Sequence, residues 1–487
     1  MTPTAERGKL DDGDLLLSKA YIDGKWADGS GAPIEVDDPF TLGTIGEIPD
    51  VAQAQVAEAI EAANRAFPAW ARRTTKERCA ILRRWFELVI RHKEDLARLI
   101  TLENGKTLKE ARGEVDYGAG FLEFYADAGA HDLGEIIPAP VAGRRLMVEK
   151  EPIGVCVAIT PWNFPLAMLT RKVGPALVAG CTMVAKPAEL TPLTALAFAR
   201  LSEEAGVPPG VFSVVTGHAR AIGEVMTSSP IVRKLSFTGS TPVGAFLAEA
   251  CAPTIKRLSL ELGGNAPLLI FDDADLDTAV ETALVAKFRN GGQSCVAANR
   301  IYVQAGIEER FLKAFGAKVA AMKAGDGFDE ESDIGPVIDS RAIAKIDSHR
   351  EEALGQGAEL IAGGESPGGR LARPTLLGGV KQDALLTREE TFGPLAGVIA
   401  FATVEDGVKL ANDTPFGLAA YLCSSDPATI ARVGRDLESG IVGINTGLIS
   451  TPLAPFGGVK MSGLGREGSL HGLAEYQNLK YLCHAGL

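Results

Sequence analysis

Between Gly154 and Leu260 the chain alternates short apolar runs with amphipathic helical stretches, and this alternation constrains the fold more than any other feature. The runs expected as strands are Val155–Thr160, Thr182–Lys186, Val211–Thr216, Lys234–Thr238 and Ile255–Leu260. Helices are expected near Met168–Ala179, Pro192–Ala205, Ala219–Thr227 and Pro242–Ala250. Parallel strands need crossover connections, and helical crossovers cover both faces of such apolar strands in right-handed βαβ units. The pattern predicts a doubly wound α/β sheet.

A looser version of the same alternation follows: helix Leu276–Arg289, strand Arg300–Val303, helix Glu308–Met322, a glycine-rich stretch Gly363–Gly369, then strands near Leu395–Phe401, Ala419–Cys423 and Ile441–Asn445. It reads as a second α/β domain. Ahead of both, apolar residues recur at helical spacing from about Ala52 to Ala128. At 487 residues the chain outgrows a single hydrophobic core, so two large domains or about three are expected.

Composition matters chiefly for what it excludes. The net charge of −13 includes no long Lys/Arg run, which argues against a nucleic-acid or anionic-membrane partner. Met1–Ala20 mixes Glu6, Asp11, Asp12 and Asp14 with a short leucine run, and it lacks a basic start followed by an apolar core, so no export signal is read. The most apolar region, Ile153–Ala185, is broken by Thr160, Pro161, Asn163, Pro165, Arg171 and Lys172, short of the roughly twenty apolar residues a membrane span needs. A cytoplasmic protein acting on a small molecule is expected. Seven scattered cysteines without CxxC spacing suggest neither a disulfide framework nor a metal site. Cys156, Cys181 and Cys423, each in an apolar run, read as small buried hydrophobes.

Four phrases carry chemistry. Ser236–Gly244 ends a strand and opens a helix, so Gly239 and Gly244 let backbone approach a phosphate at a positive helix end; without the middle glycine of GxGxxG, a plain tight turn is the competing reading. Gly291-Gly292-Gln293-Ser294-Cys295 sets a thiol after a glycine pair in a loop, exposed enough for a nucleophile if a positive neighbour lowers its pKa. In Glu261-Leu262-Gly263-Gly264-Asn265 a carboxylate ends an apolar strand, where burial would tune it as a general base and a surface salt bridge is the alternative. Thr160–Pro165 holds Asn163 between prolines, aimed at a developing oxyanion or simply satisfying nearby backbone.

Taken together and in this order, the phrases resemble the aldehyde dehydrogenase superfamily over essentially the whole chain. The resemblance rests on PWNFP at Pro161–Pro165, KPAE at Lys186–Glu189, FTGS at Phe237–Ser240, ELGGN at Glu261–Asn265, GGQSC at Gly291–Cys295, EETFGP at Glu389–Pro394 and PFGG at Pro455–Gly458. It implies that Cys295 is the covalent nucleophile, that Asn163 and the Cys295 N–H receive the oxyanion, and that Glu261 activates the water that hydrolyses a thioester. It also implies that Lys186 and Glu189 bind the adenosine ribose, that Trp162, Gly239 and Ser240 lie along the phosphates, and that Glu390 and Phe392 hold the nicotinamide ribose end. A carboxylate at Glu189 repels a 2′-phosphate, so NAD is expected over NADP. Members that pass the acyl group to coenzyme A lack the glutamate found here at Glu261, so free acid is the expected product.

Within that family the chain is similar to the succinate-semialdehyde dehydrogenase branch, through TRKVG at Thr170–Gly174, KFRN at Lys287–Asn290, GLIS at Gly447–Ser450 and GVKMSGLGREGS at Gly458–Ser469. The likeness implies that Arg171 and Arg289 pair with a substrate carboxylate and that Ser450 is their hydroxyl partner; guanidinium and carboxylate match in shape and charge. Glutarate semialdehyde, a general small aldehyde and a non-catalytic role on the same fold are the rival readings. Ala297 stands where some members of the branch carry a second cysteine, so a disulfide switch within this loop is not expected.

The family fold further implies a Rossmann-type NAD-binding domain (residues 1–127 and 148–260), an α/β catalytic domain (261–461), and a β-arm with tail for oligomerisation (128–147 and 462–487). In the arm, Asp132–Glu135 and Arg144–Met147 are expected as two strands joined around Pro138-Ala139-Pro140. A homodimer or homotetramer is expected.

Overall fold

The computed structural model describes residues 7–486. Two short hairpins, β1 (Ala20–Ile22) with β2 (Lys25–Ala27) and β3 (Ile34–Asp37) with β4 (Thr44–Ile48), precede four helices: α1 (Gln53–Ala71), α2 (Thr75–Arg91), α3 (Lys93–Asn104) and α4 (Leu108–Ala128). Helix α2 opens on a capping box in which the Thr74 N–H donates to Glu77 at 2.8 Å while Thr74 Oγ1 accepts from the Glu77 N–H. Its apolar face drives Trp85 into the core, stacked on Phe198 with ring centroids 4.1 Å apart. Burying such a ring contributes about 2–3 kcal/mol.

The chain then forms β5 (Glu135–Ile137) and β6 (Arg144–Pro152) and enters the alternating region: β7 (Val155–Ile159), α5 (Ala167–Ala179), β8 (Thr182–Lys186), α6 (Leu193–Ala205), β9 (Phe212–Val214), α7 (Ala219–Ser228), β10 (Val232–Thr238), α8 (Thr241–Cys251) and β11 (Arg257–Glu261). The five strands lie parallel in the order β9-β8-β7-β10-β11, the doubly wound arrangement expected from the alternation. The winding direction reverses at β7, so the crevice beyond the carboxyl ends of β7 and β10 is where such a sheet holds a ligand. Antiparallel β1 and β2 extend one edge and β19 (Gly463–Leu464) the other, making the sheet mixed.

The second sheet is built from β12 (Pro267–Ile270), α9 (Leu276–Phe288), β13 (Arg300–Gln304), α10 (Glu308–Ala321), α11 (Ser340–Gly355), β14 (Glu359–Ala362), β15 (Thr375–Gly378), α12 (Leu385–Arg388), β16 (Leu395–Phe401), α13 (Val404–Asn412), β17 (Ala419–Cys423), α14 (Pro427–Asp436) and β18 (Ile441–Ile444), ordered β14-β15-β16-β13-β12-β17-β18. Short α15 (Ser469–Ala474) and β20 (Gln477–Ala485) close the chain.

Three details differ from the sequence expectation. Ile255 is not strand: it takes φ +50 and is 91% exposed, and pairing begins at Arg257. In the arm the first strand starts at Glu135, because Asp132 is taken by Lys150 at 2.5 Å, and the second runs on to Pro152 because β20 pairs along its whole length. The tail divides, with Gly463–Leu464 pairing to Leu260–Glu261 in the first sheet and Gln477–Ala485 joining the arm.

Candidate active site

A cavity of about 230 Å³ is lined from both sheets by Trp162, Asn163, Arg171, Gly239, Ser240, Glu261, Arg289, Cys295, Glu390, Phe392 and Ser450. Eleven of the thirteen residues given a role by the resemblance thus meet in one place, and Gly244 lies outside it. Lys186 and Glu189 do not line it; they sit at the carboxyl end of β8, beside the end of β7, where the Thr160 N–H donates to the Lys186 carbonyl at 3.0 Å.

The loop that carries Cys295 leaves α9 through three consecutive left-handed residues, Asn290 (φ +54), Gly291 (φ +59) and Gly292 (φ +74). A Cβ on Gly292 would stand 2.3 Å from the Gly393 carbonyl oxygen, so glycine is required there on both counts. Asn tolerates this region, and the turn is held by the Asn290 N–H donating to half-buried Glu110 at 2.6 Å. Tyr421 anchors the far side by donating to the Val296 carbonyl at 2.8 Å. The thiol is half-buried inside the cavity, less open than the loop alone suggested, and burial pushes it up to about 12, with Glu390 adding to the shift and Arg171 opposing it.

Asn163 follows the end of β7. Its Nδ2 donates to the Gln293 carbonyl at 3.1 Å, two residues before Cys295, which sets the amide against the thiol loop. The backbone before it is fixed by Asn104, whose Nδ2 donates to the Trp162 carbonyl at 3.0 Å.

Glu261 ends β11 at 3% exposure, and both carboxylate oxygens are buried without a partner, which rules out the surface salt bridge. Burial and the nearby Glu467 raise its carboxyl well above the ordinary range. Glu467 itself is held below its ordinary range, because Lys172 and Arg171 outweigh the burial that would raise it. Lys172 Nζ bonds Glu467 Oε1 and also Thr238 Oγ1, the latter at 2.7 Å. The buried carboxyl pair is thereby polarised: Glu467 carries the charge, and Glu261 holds its proton more tightly than an ordinary carboxylate.

The two arginines differ. Arg171 is 1% exposed, with its guanidinium 4.1 Å from the Phe456 ring centroid and its Nη2 buried without a partner. Arg289 stacks on Phe164 at 5.2 Å and makes no ion pair among the described residues. Ser450 reaches the same cavity from the loop after β18. The walls therefore combine aromatic surface with two guanidinium groups and a hydroxyl, which suits a short chain ending in an anion.

At the other end, Ser240 occupies the N-cap position of α8, yet its hydroxyl makes no cap bond and faces the cavity. A helix start left open in this way fits an anionic group. Trp162 and Phe392 meet edge to face at 5.4 Å and form an apolar wall. Burial pushes Glu390 up to about 8, and Lys345 donates to its carbonyl at 2.6 Å. Lys186 and Glu189 pair at 2.8 Å, and the Ala219 N–H at the start of α7 donates to Glu189 at 2.7 Å. Glu189 is therefore an ionised carboxylate at the sheet's ligand-binding edge. Among the described residues, no group of three or more His, Cys, Asp or Glu side chains is placed to hold a metal ion.

Residue-by-residue reading missed Lys172, Glu467 and Phe456. Lys172 and Glu467 lay inside the TRKVG and GVKMSGLGREGS phrases, and Phe456 inside PFGG, but nothing local distinguishes them; Lys172 and Glu467 are 295 residues apart.

The model of the aldehyde dehydrogenase family matches residues 26–482. The chain is 54% identical over 478 residues to the NADP(+) succinate-semialdehyde dehydrogenase of Escherichia coli (strain K12), covering 98% of this chain and 99% of that protein. It is 52% identical to the glutarate-semialdehyde dehydrogenase of Pseudomonas aeruginosa, covering 98% and 100%. The crystal structure of succinate-semialdehyde dehydrogenase from Burkholderia pseudomallei superposes with a TM-score of 0.97 at 54% identity, over 98% of this chain and 100% of that one.

Proposed function

This chain belongs to the aldehyde dehydrogenase family, and from that premise we propose that it oxidises succinate semialdehyde to succinate with NAD. The observation that carries the substrate is the placement of Arg171, Arg289 and Ser450 in the same cavity as Cys295. A carboxylate at one end of a short aldehyde would pair with the guanidinium groups while its carbonyl carbon meets the thiol. Glutarate semialdehyde, one methylene longer, satisfies the same pairing and is the second reading, supported by the relative that acts on it.

In this reading Cys295 loses its proton to solvent water and its sulfur adds to the aldehyde carbon, forming a thiohemiacetal as its oxyanion. The Asn163 amide and the Cys295 N–H receive the oxyanion. A bound nicotinamide dinucleotide supplies the hydride acceptor; Trp162, Gly239, Ser240, Glu390 and Phe392 would hold its diphosphate-to-nicotinamide half, and Lys186 with Glu189 its adenosine ribose. The resulting thioester on Cys295 is hydrolysed when Glu261 takes a proton from water as it adds to the acyl carbon, and the thiolate leaves. Anionic Glu189 favours NAD over NADP, although the Escherichia coli relative is named for NADP(+).

We assign residues 1–127 and 148–260 to cofactor binding, 261–461 to catalysis, and 128–147 with the end of 462–487 to an arm for self-association. Exposed Ile136, Leu479 and Tyr481 on that three-stranded sheet, with Leu133 just before it, support a homodimer or homotetramer. No helix among the described residues is long and apolar enough to cross a membrane; a working thiol and a nicotinamide cofactor favour the cytoplasm. Growth of reduced-cofactor absorbance with succinate semialdehyde, lost in Cys295→Ala, tests the proposal. No turnover across a panel of aldehydes would overturn it.

A further inference from the structure

Lys106 takes no part in the reaction above, yet it is 1% exposed and reaches the back of the oxyanion site. Gly105, at φ +89, ends α3 and turns the chain inward. The Lys106 ammonium then donates to Glu114 Oε2 at 2.6 Å and to the Asn163 main-chain carbonyl at 2.8 Å. The same carbonyl accepts a second bond, from Asn290 Nδ2 at 3.0 Å. Asn290 Nδ2 also donates to the Gln293 carbonyl at 3.1 Å, which is the acceptor for the Asn163 amide. Glu114 uses its other oxygen to accept from the Leu166 and Ala167 N–H groups at 3.0 and 3.3 Å, fixing the start of α5.

The loop bearing Asn163 and the loop bearing Cys295 are thus joined by a closed set of buried bonds with the Lys106 ammonium at its base. A buried ion pair is a poor source of stability, since well-packed apolar replacements are often as stable. What it supplies is direction: the ammonium holds the Asn163 carbonyl, and the peptide plane behind that carbonyl fixes where the side-chain amide points. We propose that Lys106 is a positioning residue for the oxyanion site, setting the Asn163 amide in register with the thiol loop through the Asn163 carbonyl. This rests on the reading of Asn163 as an oxyanion donor.

The test is the pair Lys106→Met with Glu114→Gln, which removes both charges together and leaves no lone buried carboxylate. It is made in the otherwise unaltered chain and in an Asn163→Ala background. Thermal unfolding, alkylation of Cys295 by iodoacetamide, kcat and KM are measured with the best aldehyde of a panel. In the unaltered background kcat falls about 10- to 100-fold, less than the roughly 100- to 1000-fold cost of losing an oxyanion donor outright, because the donor is misaligned rather than removed. KM and the alkylation rate stay within about threefold, because binding and the thiol itself are not what Lys106 sets. In the Asn163→Ala background the same pair lowers kcat by less than about threefold, because its route of action is gone. Equal fold losses in both backgrounds, or alkylation falling in step with kcat, would overturn the proposal while leaving the reading of Asn163 intact. An Asn163→Ala enzyme with unchanged kcat would overturn that reading and the proposal together. Should the pair not fold, Lys106→Arg keeps the positive charge beside Glu114 but displaces the donor from the Asn163 carbonyl, and is held to the same outcomes.

Discussion

The Nε of Arg171 lies 2.8 Å from Oε2 of Glu467, and Lys172 bonds the other oxygen of the same carboxylate. Two buried cations therefore share one buried anion at the edge of the cavity. Removing that anion in Glu467→Ala leaves both uncompensated and costs about 3–5 kcal/mol of stability, read by denaturant unfolding.

Glu467→Gln is the milder change and bears on catalysis. The Glu467 charge is one reason, after burial, that the Glu261 carboxyl is raised. Without it the Glu261 pKa falls, and because a general base works when deprotonated, the acidic limb of the kcat–pH profile moves to lower pH. An unmoved limb would separate Glu261 from the rate-limiting hydrolysis.

Replacing Arg171 or Arg289 by leucine raises KM for succinate semialdehyde at least tenfold and leaves a neutral aldehyde of similar length little changed, measured by steady-state kinetics. Arg289, with no ion pair among the described residues, gives the cleaner result. Arg171 also lowers the Cys295 pKa, so its loss slows thiol alkylation as well. Equal effects on acidic and neutral aldehydes would remove the carboxylate-pocket reading.

Much of this was legible in the sequence for a physical reason. Strands β7, β16 and β17 are continuous apolar runs because both faces are covered, and such runs mark themselves. Helix α11 was not visible, since only Ile346, His349, Arg350 and Ala353 are buried along its sixteen residues and they make no apolar stripe. Strand β19 is two residues long and exists only because Leu260–Glu261 offers it an edge. The site divides in the same way. Cys295, Asn163 and Glu261 each sit in a local phrase, whereas the meaning of Lys106, Lys172 and Glu467 lies in partners brought close only by the fold.

Cofactor choice follows from Glu189, whose carboxylate is kept ionised against burial by Lys186. On the proposed reading NAD is the expected cofactor, and Glu189→Ser raises kcat/KM for NADP at least tenfold by removing repulsion of a 2′-phosphate and freeing Lys186. A strong NADP preference in the unaltered enzyme would contradict this.

The most direct measurement is the mass of the protein after Glu261→Gln enzyme is mixed with succinate semialdehyde and NAD. One equivalent of reduced cofactor is expected in a burst, and one succinyl group is expected to stay on the peptide containing Cys295, because the thioester forms and its hydrolysis has lost its base. Steady acid formation by Cys295→Ala at an unchanged rate, or a succinyl group found on any other residue, would contradict it.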